Sequence, residues 1–319
     1  MIGVIGAGAF GTALAVVQAQ AGRAVTLWGR DGAAMARMRS DRMNAERLPG
    51  VTLPPAMKCA ADLKALDGAE ALLIALPAQM TGAFLAEHGA ALPVAPLVLC
   101  AKGLGRERFR LQSAIAAEAC PGRPLAVLTG PGFAGEIADG LPTALTLASA
   151  DANLARDLQA LLTTPRMRLY ATEDMTGAQI GGALKNVTAI ACGMSDGALL
   201  GHSARAALMT RGFAEMTRLA VAMGARAETL AGLSGLGDLS LTCNSAQSRN
   251  FALGLALGSG REPPGGTVEG VATARAACRL AATLDVEMPI AAAVADVLDG
   301  TMTLNQAMDA LLSRPLKEE

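Results

Sequence analysis

Along this chain the apolar positions fall into two patterns. In the first half, short β-rich runs recur at Ile2–Ile5, Ala24–Trp28, Ala71–Leu76, Pro96–Ala101, Leu125–Thr129 and Thr143–Leu147, with helix-length segments such as Thr12–Gln20 and Arg110–Ala119 between them. Runs that are apolar at successive positions, rather than alternating, suit strands covered on both faces. They predict a mostly parallel, doubly wound sheet between helical layers. After about Tyr170 the pattern changes: Ala204–Met223, Thr273–Leu284 and Ile290–Leu298 are helical in period, and strand signals are few. The expectation is an α/β chain with an N-terminal sheet domain over residues 1–172 and an all-helical domain over 173–319, packed against the carboxyl edge of the sheet. Arg261-Glu-Pro-Pro-Gly-Gly266 reads as an exposed loop.

The first run leads into Gly6-Ala-Gly8-Ala-Phe-Gly11 and then the helix-compatible Thr12–Gln20. Strand, glycine turn and helix in this order form a Rossmann-type dinucleotide fingerprint. Gly6 makes the tight turn, Gly8 lets the backbone approach a pyrophosphate, and Gly11 allows close packing of helix on strand. The phosphates would lie at the helix N-terminus. The second run ends at Trp28, where many NAD-binding chains place an acid for the ribose hydroxyls; here Gly29 and Arg30 follow. A missing carboxylate and an available guanidinium favour NADP over NAD, unless Asp31 turns toward the ribose.

Composition narrows the function classes. Of 319 residues 52% are hydrophobic and only 3% aromatic, so the core is built from Ala, Leu, Val and Met, and the length suits two domains. A net charge of −1 argues against nucleic acid as a partner. Residues 1–22 are uncharged but contain five glycines and two glutamines and no basic segment, so no stable membrane insertion is expected. Six scattered cysteines without a CxxC pair read as reduced thiols of a cytoplasmic protein, and His88 and His202 are too far apart to suggest a metal site.

Lys185 is the only charged residue between Asp174 and Asp196. In so apolar a run an ammonium is desolvated, which lowers its pKa toward the range a general acid needs; taken alone, the residue reads better as a lysine snorkelling to the rim of a buried helix, and its context reverses that. Other polar groups suit an anionic substrate. Lys102-Gly103 follows one predicted strand directly, and Gly130-Pro-Gly-Phe-Ala-Gly-Glu136 follows another, with glycines able to expose backbone N–H groups. Asn186 and Asp238 can hold a substrate hydroxyl and orient the lysine, whereas Arg249 with Asn250 suits a phosphate dianion. Asp238 could also be a helix N-cap, and Arg249 a surface ion pair.

The segments Gly130–Glu136, Gly182-Ala-Leu-Lys-Asn-Val-Thr-Ala-Ile-Ala191, Arg205-Ala-Ala-Leu-Met-Thr-Arg-Gly-Phe-Ala-Glu-Met216, Gly235-Leu-Gly-Asp-Leu239 with Thr242-Cys-Asn-Ser245, Ser248-Arg-Asn250 and Val268-Glu-Gly-Val271 resemble, in order, the bacterial NAD(P)-dependent glycerol-3-phosphate dehydrogenases. The resemblance implies reversible reduction of dihydroxyacetone phosphate to sn-glycerol 3-phosphate, feeding glycerophospholipid synthesis. It implies Lys185 as proton donor or acceptor; the chemistry of hydride delivery to a ketone adds Lys102 as electrostatic helper and Asp238 to orient the lysine. Lys102, Gly130, Gly132, Asp238, Ser248, Arg249 and Asn250 would contact substrate, and Ala9, Phe10, Arg30, Lys102, Ala134, Arg249, Thr267 and Glu269 would contact the cofactor.

Three departures stand out. Gly132 occupies a place where the family usually has Ser, His202 one where Asn is usual, and the stretch between Arg249 and Glu269 is several residues short. Two other functions stay open: a two-domain NADP-dependent reductase of a hydroxy carboxylic acid, and a non-catalytic dinucleotide sensor. Homodimerisation is a further expectation.

Overall fold

The computed structural model of the chain describes residues 1–105, 110–263, 265 and 268–313. The chain divides into two compact units, Met1–Lys102 with Leu111–Ala178, and Gly103–Arg110 with Gln179–Glu319.

The first unit holds strands β1 (Ile2–Ile5), β2 (Val25–Trp28), β3 (Met43–Asn44), β4 (Leu48–Thr52), β5 (Met57–Ala60), β6 (Ala71–Ile74), β7 (Leu97–Leu99), β8 (Leu125–Thr129), β9 (Thr143–Ala148) and β10 (Met167–Thr172). Its helices are α1 (Ala9–Gln20), α2 (Gly32–Asp41), α3 (Ala78–His88), α4 (Gln112–Ala119), α5 (Ala134–Ala138) and α6 (Ala152–Leu162). Eight strands form one sheet in the order β10-β9-β8-β7-β6-β1-β2-β5. All neighbours are parallel except β8 and β9. From β1 the chain proceeds to β2 on one side and later fills β6 on the other, so the strand order reverses at β1. Open α/β sheets bind ligands at such a reversal, beyond the strand carboxyl ends.

The central strands are apolar on both faces because both are covered. Val4, Leu73, Val98, Ala126 and Leu147 pack with α1, α2, α5 and α6. Ile5, Leu72, Ile74, Leu97, Leu99 and Val127 pack with Leu85 of α3 and Ala116 of α4 on the other side. The sequence pattern passed over the two edge strands, β5 and β10, for the converse reason. Each alternates buried and exposed residues, as in Met57-Lys-Cys-Ala and Met167-Arg-Leu-Tyr, and so lacks the continuous apolar run of an interior strand. The small hairpin of β3 and β4 carries no strong apolar signal either.

The second unit is helical among its described residues. It contains most of α7 (Met175–Gly197), then α8 (His202–Ala222), α9 (Ala227–Ala231), a π turn (Leu233–Gly237), α10 (Asp238–Cys243), α11 (Arg249–Gly258), α12 (Glu269–Thr283), α13 (Pro289–Asp299) and α14 (Leu304–Leu312). Helix α7 is buried continuously from Gly177 to Ser195, as expected of a helix apolar on every side. Helix α11 meets it backbone to backbone. A Cβ added to Gly254 would lie 2.1 Å from the Ile190 carbonyl oxygen, and one added to Gly193 would lie 2.2 Å from that of Phe251. In α8, Glu215 is buried and accepts hydrogen bonds from Ile290 N and Ala291 N at 2.7 and 3.2 Å, so a carboxylate caps the start of α13.

Candidate active site

In the first unit the turn after β1 is built for close approach. Gly6 has φ +117°, a conformation that disfavours any Cβ, and a Cβ on Gly11 would lie 2.0 Å from the Gly6 carbonyl oxygen. Asn44 holds the turn from the side, donating to Ala7 O at 3.0 Å and to Thr12 Oγ1 at 2.8 Å. Gly8 differs from both neighbours: it is exposed, and an added Cβ would meet nothing within 4 Å. It is the N-cap of α1, and no side chain caps that helix. Its leading N–H groups thus form an anion cradle that a larger residue at position 8 would invade, which fits a dinucleotide pyrophosphate. Ala9 and Phe10 open the helix.

At the end of β2, Gly29 is enclosed. A Cβ there would meet Met35 Sδ at 2.6 Å and Ala7 Cβ at 3.1 Å, so an acid at the position that often bears one would require the Met35 side chain to move. Arg30 is exposed. Asp31 is committed to α2 as its N-cap, accepting from Ala34 N at 3.0 Å, and that N–H holds its carboxyl below the usual range. Beyond β7, Lys102 Nζ donates to Gly130 O at 2.8 Å and lies 5.8 Å from the centre of the Phe10 ring. Gly130 has φ +131°, the backbone setting in which its carbonyl meets the ammonium. Gly132 has a local reason to lack a side chain, since a Cβ there would lie 2.9 Å from Ile137 Cδ1 and 3.2 Å from Thr143 Cγ2. Ala134 starts α5. Lys102, Phe10 and Gly130 are therefore brought together, and Arg30 lies on the separate turn after β2.

In the second unit Lys185 and Asp238 are 7% and 1% exposed. Lys185 Nζ donates to Asp238 Oδ1 at 2.5 Å and to Thr242 Oγ1 at 2.8 Å, and Thr242 Oγ1 is 3.4 Å from the same carboxylate oxygen. Local structure explains the meeting. Gly181 and Lys185 are one turn apart on one face of α7, and a Cβ on Gly181 would lie 2.6 Å from Ser234 O. The missing side chain lets the π turn sit against α7, and four residues further along each element the ammonium meets the carboxylate. Asp238 opens α10 but spends its carboxylate on the lysine instead of on a cap. The partner charge and the hydroxyl offset the desolvation of the ammonium, so burial alone does not describe this lysine. Thr242 had no role assigned from the sequence. The signal was present in Asp238-x-x-x-Thr242, which puts both side chains on one helix face.

Asn186 is buried beside Lys185, and its Oδ1 accepts from Asn250 Nδ2 at 2.9 Å. Asn250 Oδ1 in turn accepts from Gly270 N at 2.9 Å. Ser248 is the N-cap of α11, its hydroxyl accepting from Phe251 N at 3.2 Å, and Arg249 is exposed in the first turn. Glu269 begins α12 and is half-buried. Thr267 lies outside the described residues, as do Pro264 and Gly266 of the predicted loop. His202 Nδ1 is 3.2 Å from Arg205 Nη2, and Arg205 pairs with Asp196. Next to Thr242, a hydrogen bond with the Cys192 thiol, then burial, push the Cys243 thiol well up.

The chain as a whole matches known proteins. The N-terminal domain of NAD-dependent glycerol-3-phosphate dehydrogenase matches residues 1–155, and the C-terminal domain matches residues 174–309. A glycerol-3-phosphate dehydrogenase [NAD(P)+] of Paracoccus denitrificans is 57% identical over 319 residues, covering 100% of this chain and 99% of that protein. The enzyme of the same description from a Ruegeria species is 53% identical with the same coverage. The crystal structure of glycerol-3-phosphate dehydrogenase from Coxiella burnetii superposes with a TM-score of 0.93 at 38% identity, covering 98% of each chain. The Rossmann-type unit with its helical partner, the glycine turn and the Lys185 cluster thus occur in a chain that belongs to the NAD-dependent glycerol-3-phosphate dehydrogenase family.

Proposed function

We propose that this protein reduces dihydroxyacetone phosphate to sn-glycerol 3-phosphate, reversibly, with NADPH or NADH. The carrying observation is the Lys185 ammonium, buried and aimed by Asp238 and Thr242, in a member of this family. When bound, the reduced nicotinamide supplies a hydride. Gly6, Gly8, Ala9, Phe10 and Gly11 would hold the dinucleotide through the open N-terminus of α1, with Arg30, Lys102, Ala134, Arg249 and Glu269 as further contacts.

Lys185 stabilises charge developing on the ketone oxygen and delivers a proton to it, a role worth about 10²–10⁴-fold. Asp238 keeps the ammonium oriented, and Asn186 binds the substrate beside it. Lys102 adds positive potential toward an anionic ligand, held by the Gly130 carbonyl. The phosphate falls to Arg249 and the N-terminus of α11, where the Ser248 hydroxyl accepts from Phe251 N and keeps its O–H to donate. Gly132 offers its backbone only. Binding energy from a remote phosphate positions the carbon that reacts.

No helix among the described residues is long and apolar enough to cross a membrane, and the six cysteines are free thiols. A cytoplasmic location accords with those free thiols, and a homodimer is part of the proposal, to be read by sedimentation. The test of function is loss of the reduced-nicotinamide absorbance with dihydroxyacetone phosphate. Arg249→Leu should lower kcat/KM for that substrate about 10- to 100-fold more than for dihydroxyacetone, which lacks the phosphate. An equal loss on both would move the phosphate off Arg249.

A further inference from the structure

The residue that opens the glycine turn to a ligand also leaves it loose. Gly8 is exposed, with no atom within 4 Å of the place a Cβ would take, so packing does not fix the backbone there, and glycine adds no restraint of its own. Gly6 stands two residues earlier. The peptide joining Ala7 to Gly8 therefore lies between two glycines, where turning it over meets little steric resistance. Its direction matters because a trans peptide carries its C=O on one edge and its N–H on the opposite edge, and no cis peptide occurs among the described residues. One edge suits an anion and the other repels it.

Asn44 decides which edge faces the cradle. Its Nδ2 donates to Ala7 O at 3.0 Å and to Thr12 Oγ1 at 2.8 Å. A backbone carbonyl can only accept, so the Asn44 amide is fixed with its nitrogen toward the turn. Asn44 and Thr12 are both buried, at 5% and 0% exposure. Ala7 O thus points to the buried side, and the Gly8 N–H points the other way, to the side on which Gly8 is open. Among the described residues no backbone carbonyl takes that N–H. Asn44 is itself held in place: it pairs with Leu48 across the β3–β4 hairpin, and Glu46 of the same hairpin accepts from Arg37 of α2 at 3.0 Å.

We infer that Asn44 is a positioning residue for the cofactor diphosphate: it holds the Ala7 carbonyl away from the cradle and so keeps the Gly8 N–H, beside the leading N–H groups of α1, turned toward the phosphate oxygens. The inference rests on the reading of this turn as the dinucleotide site. It concerns the diphosphate that NADH, NADPH and ADP share, and leaves the 2′-phosphate of NADPH to Arg30.

The test is binding to the full chain carrying Asn44→Asp, Asn44→Ala or Thr12→Val, read by nicotinamide fluorescence for NADH and NADPH and by calorimetry for ADP, with melting temperatures alongside. A carboxylate at position 44 cannot donate to Ala7 O. It accepts instead from the Thr12 hydroxyl and, once the peptide has turned over, from the Gly8 N–H, so that the repelling edge faces the phosphates. The expected result is a Kd raised about 10- to 100-fold for all three ligands in Asn44→Asp, and about 3- to 10-fold in Asn44→Ala, where the peptide is released but not reversed. Thr12→Val keeps the hold on Ala7 O and orphans the other donor, so it should melt at a lower temperature with Kd within about twofold of the wild type. Affinity and stability are thus separated. A residue that only fastened the hairpin to α1 would make Kd follow the melting temperature in every variant, Thr12→Val included, and that result overturns the inference. So does a loss confined to NADPH, which would mean that Asn44 acts through the hairpin and Arg37 on the 2′-phosphate. The wild type gives a check that no misfolded variant can spoil: its Gly8 amide resonance should move when ADP is added, and a Gly8 amide that stays in place while ADP binds overturns the inference. A wild type that binds none of the three ligands overturns the dinucleotide reading together with it, whereas a binding-competent wild type with unchanged affinities in Asn44→Asp overturns the inference alone.

Discussion

The turn after β1 is shaped by backbone, and the cluster around Lys185 is shaped by side chains. In the first, Gly6 and Gly11 leave no room for a Cβ, Gly8 leaves a great deal, and the helix N-terminus that results needs no charged residue. In the second, an ammonium, a carboxylate and a hydroxyl close a buried triangle. The first lies within six consecutive residues. The second joins residues 185 and 238, which share nothing until α7 and the π turn pack together. A backbone site tolerates no added atom; a buried ionic site tolerates no loss of one partner.

The largest effects should come from breaking the triangle. Lys185→Ala or Asp238→Ala each leaves an uncompensated buried charge, with an expected cost of about 3–5 kcal/mol in stability, and Lys185→Ala also removes the proton donor, at least about 10² in kcat. The double variant Lys185→Met/Asp238→Leu replaces the pair by apolar groups. It should recover much of the stability and none of the turnover, as read by urea melts beside steady-state kinetics. Recovery of activity in the double variant would remove Lys185 from the chemistry.

The same substitution, glycine to alanine, made at the turn and at the contact of α11 with the Lys185 helix sharpens the contrast. Gly254→Ala drives a methyl group to 2.1 Å from the Ile190 carbonyl, where backbone must yield, and overpacking of this kind costs about 1–3 kcal/mol. Gly8→Ala meets no atom within 4 Å, so its effect on the melting temperature should be small. Its methyl group would occupy the cradle, and the Kd for the reduced dinucleotide should rise about tenfold or more while that of Gly254→Ala stays near wild type. Titration by nicotinamide fluorescence separates the two. Equal dinucleotide affinities would show that nothing approaches Gly8.

The same contrast explains what the sequence made legible. The interior strands and the glycine turn were readable because their signals are local: an apolar run reports cover on both faces, and three glycines at fixed spacing report a turn. Lys185 was readable because charge is so rare around it. Its partner Thr242 and the commitment of Asn250 to Gly270 were not, since each depends on which helix faces lie opposite in the fold. Edge strands β5 and β10 escaped because their exposed residues break the run. Asp31 illustrates the finest grain: its place beside Arg30 was evident, but whether it faced a ribose or capped α2 depended on a single backbone N–H.

That detail sets the smallest expected effect, on cofactor choice. The Ala34 N–H holds the Asp31 carboxyl below its ordinary range. With the folded value depressed, the stabilising cap is fully present above the ordinary carboxylate range and is lost only as pH falls through the lowered value. In any assay near neutrality Asp31 is therefore ionised and occupied with α2. Asp31→Asn keeps a good N-cap while removing the charge, so it should change the ratio of KM for NADPH to KM for NADH by less than about threefold. Arg30→Ala should raise KM for NADPH by about tenfold and leave KM for NADH nearly unchanged, because a guanidinium on a 2′-phosphate has no counterpart in NADH. Gly29, walled in by Met35, offers no carboxylate to oppose that phosphate. If Asp31→Asn shifts the ratio as strongly as Arg30→Ala does, Asp31 leaves its cap to meet the ribose, and the backbone-built region owes part of its selectivity to a side chain after all.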